Sequence, residues 1–414
     1  MTTRRDFLAT SSLLGFGATV PAFLGRTAFA APNADKAGAK DTVLVVVQLT
    51  GGNDGLNTVV PFTNADYYKL RPTIAIAKDL VKKLTDDVGL HPAMTALAKL
   101  YTDDSAACVV QGVGYPNPSQ SHFRSMDVWH AASTAETLTA GWLGAALKKQ
   151  PVPGFHLAGG NETSPLALTG APVRVPSITS LDDFKLKTVS VTGADAAAQK
   201  NVITSAASIA GGSSGSQSLL DFVSRTQMNT YASSEKLASI GKNYTPKVPY
   251  PTSALANKLK LAAQLIDAGI GARLFYVSID GFDTHAGQGG ATGAHANLLT
   301  QVSEAISSFY RDMAGRGHGN RLCVMTFSEF GRRAYENGSK GTDHGAGAPM
   351  FLVGGNVKAG VVGEHPSLKG LKEGNLVHGT DFRQVYAAVL DKWLGVDSKA
   401  IVGDGFKAVD VFAK

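Results

Sequence analysis

Short runs of apolar residues recur along the chain and alternate with segments of helical periodicity. Four of the runs are continuous over six or seven residues and predict strands that are buried on both faces. These runs are Val43–Leu49, Ala107–Gly112, Leu274–Ile279 and Leu322–Phe327, and a weaker fifth run covers Met350–Val353. Apolar positions three and four residues apart predict helices that begin near His91, Asn297 and Asp381.

This alternation of buried strands and amphipathic helices predicts the fold class. We expect an α/β fold with a largely parallel central sheet sandwiched between helices. The four main strands should lie side by side and parallel. Their carboxyl ends should open on one cleft, because ligands bind beyond the carboxyl ends of strands in open α/β sheets.

The first 30 residues have the pattern of an export signal. Paired Arg4 and Arg5 precede a moderately apolar stretch, and Ala28–Ala30 supplies the small-x-small pattern of a cleavage site. A membrane anchor is the alternative, but the stretch contains glycines and a proline and is short for a span. We therefore expect twin-arginine export, cleavage, a periplasmic or secreted location and no stable membrane anchor.

The remaining residues, 31–414, are expected to form a single domain, and one segment interrupts its alternating pattern. Residues 190–251 are rich in Ala, Ser and Gln, and they contain the flexible sequence "AGGSSGSQS" at Ala210–Ser218. We interpret this segment as a mainly helical insertion. The sequence leaves open whether it is a lid over one face or a helical decoration.

Composition and charge restrict the class of partner. The 414 residues carry a net charge of +6, and the first 30 of them contain three arginines and one aspartate. No run of five basic residues occurs, so we expect no nucleic-acid binding. Cys108 and Cys323 each lie in an apolar run. Export would permit a disulfide between them, but we favour two buried thiols on separate strands.

Polar side chains follow each of the four predicted strands. The first strand is followed by Asp54 in "TGGNDG", and the third by "DGFDTHAGQ". The polar residues after the second, third and fourth strands are Ser119, Ser121, His122, Asp280, Asp283, His285, Glu329, Arg332, Asp343 and His344. Carboxylates and imidazoles are the ligands that zinc, manganese and iron take in proteins. The combination predicts a divalent metal site at the carboxyl edge of the sheet.

Each motif also has a purely structural alternative. Asp54 could cap a helix that begins near Gly55, which is a common role for an aspartate at that position. Asp343 and His344 could simply form a turn, and Arg332 could be an ordinary surface arginine. The recurrence of such residues after four strands is what favours a metal.

Four long motifs resemble the DUF1501 family, whose members are exported bacterial proteins grouped with the alkaline phosphatase and sulfatase superfamily. They are "LVVVQLTGGNDGLNTVVPF", "SHFRSMD", "DGFDTHAGQ" and "MTFSEFGRRAYENGSKGTDHG". The resemblance extends over nearly all of residues 1–396, including the twin-arginine signal. It implies an alkaline-phosphatase-like fold and the two-metal hydrolase mechanism of the superfamily. The family itself implies no defined activity.

The resemblance also implies roles for individual residues. Asp54 corresponds to the carboxylate after the first strand, and Ser121 to a nucleophile at a helix start, with Ser119 as its competitor. The other implied metal ligands are Asp283, His285, Asp343 and His344. Glu329, which stands directly after the fourth strand where the superfamily usually has its Asp-His pair, is a further candidate ligand, and Asn53 and Arg332 are candidate anion-binding residues. The two-residue spacing of the Asp283/His285 pair departs from the superfamily pattern. Because "PNPSQSHF" has no cysteine, ordinary sulfatase chemistry is not expected.

These observations lead to one main functional hypothesis and two alternatives. The main hypothesis is a periplasmic hydrolase of phosphate-ester-like anionic substrates that uses Ser121 and two divalent ions of zinc, manganese or iron. One alternative is a non-catalytic exported binding or assembly protein, and the other is a transferase with the same metal site. The expected partners are a small anionic substrate and the twin-arginine export machinery. The sequence leaves the substrate and the oligomeric state open.

Overall fold

The computed structural model describes residues 41–160, 162–172, 174–181 and 244–413. The predicted export signal and residues 190–243 of the predicted insertion lie outside the described residues. The chain forms two compact units, of which the larger consists of Gly38–Ser177, Pro246–Ala263 and Ala272–Lys414. This larger unit contains all the residues of the candidate site.

The structure confirms that the apolar runs form strands. The described strands are β1 (Val43–Leu49), β2 (Val59–Val60), β3 (Lys82–Lys83), β4 (Gly89–Leu90), β5 (Ala107–Gly114), β6 (Gly154–Leu157), β7 (Ser177–Ile178), β8 (Leu274–Ile279), β9 (Leu322–Phe327), β10 (Ala348–Val353), β11 (Gly360–Val362) and β12 (Thr380–Asp381). The bounds of β1, β8 and β9 are those predicted, whereas β5 ends two residues later and β10 begins two residues earlier than expected.

The predicted helices are also present. The described α-helices are α1 (Gly55–Thr58), α2 (Ala65–Leu70), α3 (Thr95–Thr102), α4 (His122–Ala131), α5 (Trp142–Lys149), α6 (Ala254–Asp267), α7 (Ala294–Gly315), α8 (Phe382–Ala388) and α9 (Lys399–Val402). Short 3₁₀ turns cover Pro92–Met94, Leu166–Leu168 and Gly319–Arg321, and a π-helical turn at Val389–Leu394 extends α8. The long helix α7 begins three residues before the predicted start.

The central sheet has the strand order β11-β5-β10-β9-β1-β8-β6-β7, and β12 pairs with β5. The pairs β1–β8, β1–β9 and β6–β8 are parallel, whereas β10 is antiparallel to both β9 and β5. The largely parallel sheet is therefore confirmed. The prediction that β5 lies directly beside the other main strands is wrong, because β10 returns antiparallel and inserts between β5 and β9.

Both faces of the central sheet are buried. Leu44 and Val46 of β1 belong to a large apolar cluster with Trp129 of α4 and Tyr386 of α8. Val45, next to them on β1, points to the other face and is also completely buried. A strand buried on both faces needs apolar residues at every position, which explains the continuous run "VLVVV". Helices therefore flank both faces of the sheet, as predicted.

A second, three-stranded antiparallel sheet has the order β2-β4-β3 and lies outside the central sheet. Cys108 on β5 and Cys323 on β9 are buried free thiols, which confirms the prediction for the two cysteines. In the described parts of the chain, none of the helices combines the length and the apolar character needed to cross a bilayer.

Candidate metal centre

The chain segments that follow β5, β8 and β9 bring polar side chains together at one edge of the central sheet. The segment after β5 leads into α4, whose first residue is His122. The segment after β8 carries Asp283 and His285, and the segment after β9 carries Glu329 and His344. Because β8 and β9 both run parallel to β1, their carboxyl ends lie at the same edge.

Three imidazoles surround the carboxylate of Asp283. Oδ1 of Asp283 lies 3.1 Å from Nε2 of His285 and 3.2 Å from Nε2 of His344. Its Oδ2 lies 3.6 Å from Nε2 of His122. The two nitrogens of His285 and His344 are 2.9 Å apart. Atoms that share one ion at about 2.0–2.2 Å lie within about 4.4 Å of one another, and each of these four distances is within that limit.

The outward-facing nitrogens of two of these imidazoles donate hydrogen bonds to oxygen acceptors. Nδ1 of His122 donates to Oε1 of Glu329 at 2.8 Å, and Nδ1 of His344 donates to the carbonyl oxygen of Gln120 at 2.8 Å. A carbonyl oxygen and an ionised carboxylate can only accept, so the hydrogen of each neutral ring is assigned to Nδ1. Nε2 of each ring is then left with a lone pair that faces Asp283.

The third imidazole, that of His285, also has its Nδ1 near an oxygen acceptor, and it is more exposed than the other two. Nδ1 of His285 lies 3.3 Å from Oδ1 of Asp343, and Asn337 holds this carboxylate by donating from Nδ2 at 2.9 Å. The Nδ2 group of Asn337 also donates to the backbone carbonyl of His285 at 2.9 Å. Metal-binding histidines commonly donate their second nitrogen to a carboxylate or a carbonyl in this way. All three imidazoles therefore have the hydrogen bonding of metal ligands.

The protonation of the cluster is consistent with bound cations. Burial alone would raise the pKa of Asp283, but the hydrogen bond and the charge of Arg332 outweigh it and lower the pKa to about 2. Burial lowers the pKa of His344 below its usual value, so this ring is neutral at neutral pH. Neutral imidazoles and an ionised carboxylate are the forms that bind zinc, manganese or iron.

Arg332 fixes the loops of the site instead of facing the solvent. It is buried, and one of its terminal nitrogens, Nη2, donates to Oδ1 of Asp283 at 2.6 Å. Its other hydrogen bonds go to the carbonyl oxygens of Gly51, Gly52, Phe282 and Thr342. The guanidinium of Arg332 therefore donates to oxygen atoms of the protein itself.

The ring of Phe330 packs against two of the imidazoles. Its ring centroid lies 4.8 Å from that of His122 and 4.7 Å from that of His344. The close approach of the loop after β1 requires a glycine, because a Cβ at Gly52 would lie 2.4 Å from the Phe330 ring. Gly52 also has a φ of +83°, which an L side chain rarely adopts. The glycine therefore keeps the aromatic support in place.

Asp54 lies in a different, fully buried polar network. Its Oδ2 accepts hydrogen bonds from Arg71 and Gln288, each at 2.5 Å, and its Oδ1 accepts from the backbone N–H of Asn57 at 3.4 Å. Asp54 is thus the N-cap of α1 and the counterion of a buried arginine. Both oxygens of Asp54 are therefore engaged within the protein, in the way that the capping alternative describes.

Asn53, the other predicted anion-binding residue, is also buried. Its Oδ1 accepts hydrogen bonds from the Thr58 hydroxyl and from Nε2 of His295, both at 3.0 Å. Its backbone N–H donates to the Ser328 hydroxyl at 2.9 Å. Within the described residues, its Nδ2 has no hydrogen-bond partner. The side chain of Asn53 is therefore shielded from solvent and from any dissolved anion.

The two candidate nucleophiles lie at the start of α4, next to His122. Ser121 is the N-cap residue and is exposed, and its hydroxyl makes no capping hydrogen bond. Its backbone N–H donates to the Ser119 hydroxyl oxygen at 3.2 Å, and the Ser119 N–H donates to the Tyr115 hydroxyl at 2.9 Å. Ser121 therefore has the freer hydroxyl of the two.

Three of the predicted ligands lie together in the structure, and two others lie behind them. Asp283, His285 and His344 form the cluster, whereas Glu329 and Asp343 contact the outward nitrogens of imidazoles instead of its centre. His122 was not predicted to bind metal, although it stands beside Ser121 at the same helix start. His122, Asp283 and His344 can present ligand atoms that all lie within 4.8 Å of one another.

Comparison with protein families identifies the chain. The family described as "Protein of unknown function (DUF1501)" matches residues 41–404, and the chain belongs to this family. A comparison with curated proteins gives no significant match.

Solved structures with a similar fold include two enzymes. The sulfatase PsFucS1 from Pseudoalteromonas sp. is 11% identical, with a TM-score of 0.37, over 94% of this chain and 75% of that chain. The lipoteichoic acid synthase LtaP from Listeria monocytogenes is 9% identical, with a TM-score of 0.30, over 88% of this chain and 72% of that chain.

Proposed function

We propose that this DUF1501 protein is an exported, metal-dependent hydrolase of anionic esters. One divalent ion would be held by Nε2 of His122, His285 and His344 and by the carboxylate of Asp283. The observation that supports this proposal is the hydrogen bonding of the three imidazoles. Each directs Nδ1–H to an oxygen acceptor and a free Nε2 lone pair toward Asp283.

Without a cation, this arrangement would bring lone pairs against one another. Two imidazole nitrogens at 2.9 Å and a carboxylate oxygen within 3.2 Å of both repel unless positive charge lies between them. The donor set of three nitrogens and one carboxylate suits zinc, manganese or iron better than magnesium or calcium, which prefer oxygen ligands. The residues therefore fit a borderline divalent ion.

The exposure of the cluster favours catalysis over a purely structural metal. The side chains of Asp283 and His285 are 47% and 45% exposed, and that of His122 is 33% exposed. Structural metal sites are closed, whereas catalytic ones keep a position open to water or substrate. A divalent ion in such a site supplies positive charge that polarises an ester oxygen and lowers the pKa of water.

The surrounding residues would hold the ligands and orient the substrate. Glu329 and Asp343 keep two imidazoles in the required tautomer, and Arg332 holds Asp283 in place. Ser121 remains the proposed nucleophile, since its hydroxyl is exposed beside His122. A single ion is proposed instead of two because Asp54, the expected ligand of a second ion, is paired with Arg71.

Metal analysis of the exported protein tests this proposal. Protein purified from the periplasm should contain about one divalent ion per chain by inductively coupled plasma mass spectrometry. His344→Ala should lose most of the ion and should melt at a lower temperature, because a bound ion stabilises the native state by mass action. His318→Ala is the matched control, since His318 precedes β9 at the opposite end of that strand.

The activity is tested with the same preparations on aryl phosphate, aryl phosphodiester and aryl sulfate substrates. Turnover that chelation abolishes would support the hydrolase. Metal at about one ion per chain with no turnover on any ester would favour the non-catalytic alternative. A metal-free protein whose melting is the same in the wild type, in His344→Ala and with chelator would overturn the metal centre itself.

A further inference from the structure

A second cluster of polar side chains lies near the carboxyl ends of β6 and β8 and shares no residue with the candidate metal centre. It consists of His156, Glu162, Ser177, Lys258 and Ser278, which all belong to the larger unit. His156 lies in β6, Glu162 follows that strand, and Ser278 lies near the end of β8. Because β6 and β8 are parallel, the cluster lies at the edge of the sheet where α/β proteins bind ligands.

Ser177 and His156 form a hydroxyl–imidazole pair within this cluster. The backbone N–H of His156 donates to the carbonyl oxygen of Pro176 at 2.9 Å, which places the adjacent strands β6 and β7 in register. Nδ1 of His156 then lies 2.9 Å from the Ser177 hydroxyl oxygen. The imidazole is buried, whereas Ser177 is exposed. A hydroxyl that solvent can reach is therefore in contact with a base that is shielded from water.

Glu162 faces the other nitrogen of the same ring. Its Oε2 lies 3.7 Å from Nε2 of His156, which is longer than a hydrogen bond but close enough for electrostatic attraction. The ring hydrogen is assigned to Nε2 beside this carboxylate, so Nδ1 keeps a lone pair that accepts from the Ser177 hydroxyl. Burial outweighs the charge of Glu162 and holds the pKa of His156 below its ordinary value. The ring is therefore neutral at neutral pH and able to accept a proton.

Two further residues hold the Glu162 carboxylate in this position. Nζ of Lys258 donates to its Oε1 at 2.6 Å, and the Ser278 hydroxyl donates to its Oε2 at 2.9 Å. Nζ of Lys258 also donates to the carbonyl oxygen of Ser278 at 2.8 Å. The cluster thus contains a hydroxyl, a base beside it and a fixed carboxylate that orients the base. Activated nucleophiles in enzymes have this combination of groups.

We propose that Ser177 is a second nucleophile, which takes up the acyl group of small carboxylic esters with His156 as its base. Oγ of Ser177 attacks the carbonyl carbon and gives its proton to Nδ1 of His156. The C–O bond of the ester then breaks, and the alcohol leaves with that proton. Water attacks the acyl-serine with the help of the same base, which releases the acid and restores the Ser177 hydroxyl. Glu162 and Lys258 are positioning residues, because they act through the ring.

The groups of the cluster favour acyl transfer over phosphoryl or sulfuryl transfer. Catalysis at phosphorus depends on metal ions or cationic side chains that bind the non-bridging oxygens. Lys258, the cation of this cluster, is buried and directs its ammonium group to Glu162 and Ser278. An uncharged ester carbonyl needs no such cation. Enzymes use the order of hydroxyl, imidazole and carboxylate for acyl transfer.

Labelling with phenylmethylsulfonyl fluoride tests the proposal independently of the metal centre. The serine oxygen replaces fluoride on sulfur, and mass spectrometry of tryptic peptides locates the adduct. We expect modification of Ser177 to about one group per chain, equally with and without chelator. His156→Gln should slow this reaction by about 100-fold or more, which is the usual contribution of a general base. His318→Gln, a change before the amino end of β9, is the matched control and should react as the wild type does.

Variants of Glu162 test the positioning role. Glu162→Gln should slow the labelling of Ser177 by about tenfold or more, because the carboxylate no longer orients and stabilises the protonated ring. Glu162→Asp keeps the charge and should recover part of the lost rate. A purely structural role would lower the melting temperature of both variants without this recovery, and that result would exclude Glu162 as a positioning residue.

Turnover of para-nitrophenyl acetate in the presence of chelator is the second measurement. Ser177→Ala should abolish it, whereas Ser367→Ala should not, because Ser367 is an exposed serine whose hydroxyl accepts a backbone N–H. The proposal is overturned if Ser177 is not labelled, if it is labelled as fast in His156→Gln, or if the ester is not cleaved. Cleavage that survives in Ser177→Ala would overturn it as well. Metal content and the turnover of anionic esters should be unchanged in Ser177→Ala, so the proposed function is tested separately.

Discussion

Nε2 of His285 lies 2.9 Å from Nε2 of His344, and both nitrogens face Oδ1 of Asp283 at 3.1–3.2 Å. The Nδ1 atoms of both rings are directed at oxygen acceptors, Asp343 and the carbonyl of Gln120. Three electron-rich atoms therefore converge with no hydrogen of their own between them. A shared cation makes this geometry favourable, and the predictions about the site follow from it.

Glu329 is expected to orient His122 without binding the metal itself. Glu329→Gln keeps an oxygen that can accept from Nδ1 of His122 but loses the negative charge. We expect the metal affinity to fall by about 10–100-fold, which is typical for the loss of a residue that orients a ligand. The number of ions bound at saturation should remain unchanged. Competition with a coloured chelator and the absorption spectrum of the Co²⁺ form measure the two quantities.

Glu336→Gln is the matched control for this variant. It makes the same chemical change in a carboxylate that accepts hydrogen bonds from Thr73 and from the N–H of Ile74. It should leave the metal affinity at the wild-type value. If Glu329→Gln instead abolished binding at saturating metal and changed the Co²⁺ spectrum, Glu329 would be a direct ligand, as the sequence first predicted.

The strands could be predicted closely from the sequence, but not their order. β1, β8 and β9 are buried on both faces, so their sequences are continuous apolar runs with clear ends. The antiparallel return of β10 between β5 and β9 depends on long-range packing, for which the run Met350–Val353 contains no local signal. The adjacency of β5 to the other main strands was therefore predicted wrongly.

The site could be predicted only in part for a similar reason. Asp283, His285 and His344 follow strand ends beside glycines, so their positions at the carboxyl edge follow from the fold class. The role of Asp54 depends on Arg71, which lies 17 residues further along the chain and reaches back across the loop. Nothing local in the sequence marks that pairing. The position of His122 beside Asp283 depends in the same way on distant partners.

The buried pair of Asp54 and Arg71 should contribute strongly to stability. Asp54→Asn keeps an oxygen that can cap α1 but leaves Arg71 charged and uncompensated. Removing one partner of a buried pair typically costs about 3–5 kcal/mol, so urea unfolding should show a large loss in the free energy of unfolding. Asp66→Asn, in the exposed pair with Lys69, should change it far less. Equal effects of the two variants would contradict the buried role of Asp54.

The same pair should make stability depend on pH in the acid range. Burial alone would raise the pKa of Asp54, but the charge and hydrogen bond of Arg71 outweigh it and hold the pKa below its ordinary value. A carboxyl with a lowered pKa in the folded state stabilises the protein above its unfolded pKa of about 3.9. This contribution is lost as the pH falls through the lowered folded value.

We therefore expect the stability difference between wild type and Asp54→Asn to be constant above about pH 5 and to shrink below about pH 4. Urea unfolding at a series of pH values measures this difference. A difference that grew on acidification would have the opposite sign and would mean that the pKa of Asp54 is raised on folding.

The twin arginines should decide the route of export. Changing Arg4 and Arg5 to lysine removes the guanidinium pair while keeping the charge, so the precursor should accumulate in the cytoplasm. Cell fractionation and immunoblotting measure the processed and unprocessed forms. Arg26→Lys is the control, because it lies in the same 30 residues but outside the pair. Normal processing of the double variant would show that the chain uses the general secretory route.

Ser121 is the proposed nucleophile, and its surroundings allow a clean test. Its hydroxyl is exposed and makes no capping hydrogen bond, so Ser121→Ala should alter the free energy of unfolding by less than about 0.5 kcal/mol. The number of metal ions bound per chain should also stay at the wild-type level, since the Ser121 hydroxyl is not one of the proposed metal ligands. Turnover of the ester that the wild type cleaves best should nevertheless fall by about 10³-fold or more.

Ser119→Ala separates the two serines, because the Ser119 hydroxyl accepts the N–H of Ser121 and is two residues further from His122. This variant should keep turnover within a few-fold of the wild type. Intact-protein mass spectrometry of quenched reactions should reveal a covalent adduct in the wild type and in Ser119→Ala, but not in Ser121→Ala. The reverse pattern would assign the reaction to Ser119. Full turnover by both variants would mean that water attacks the ester directly and that no serine of this loop becomes covalently modified.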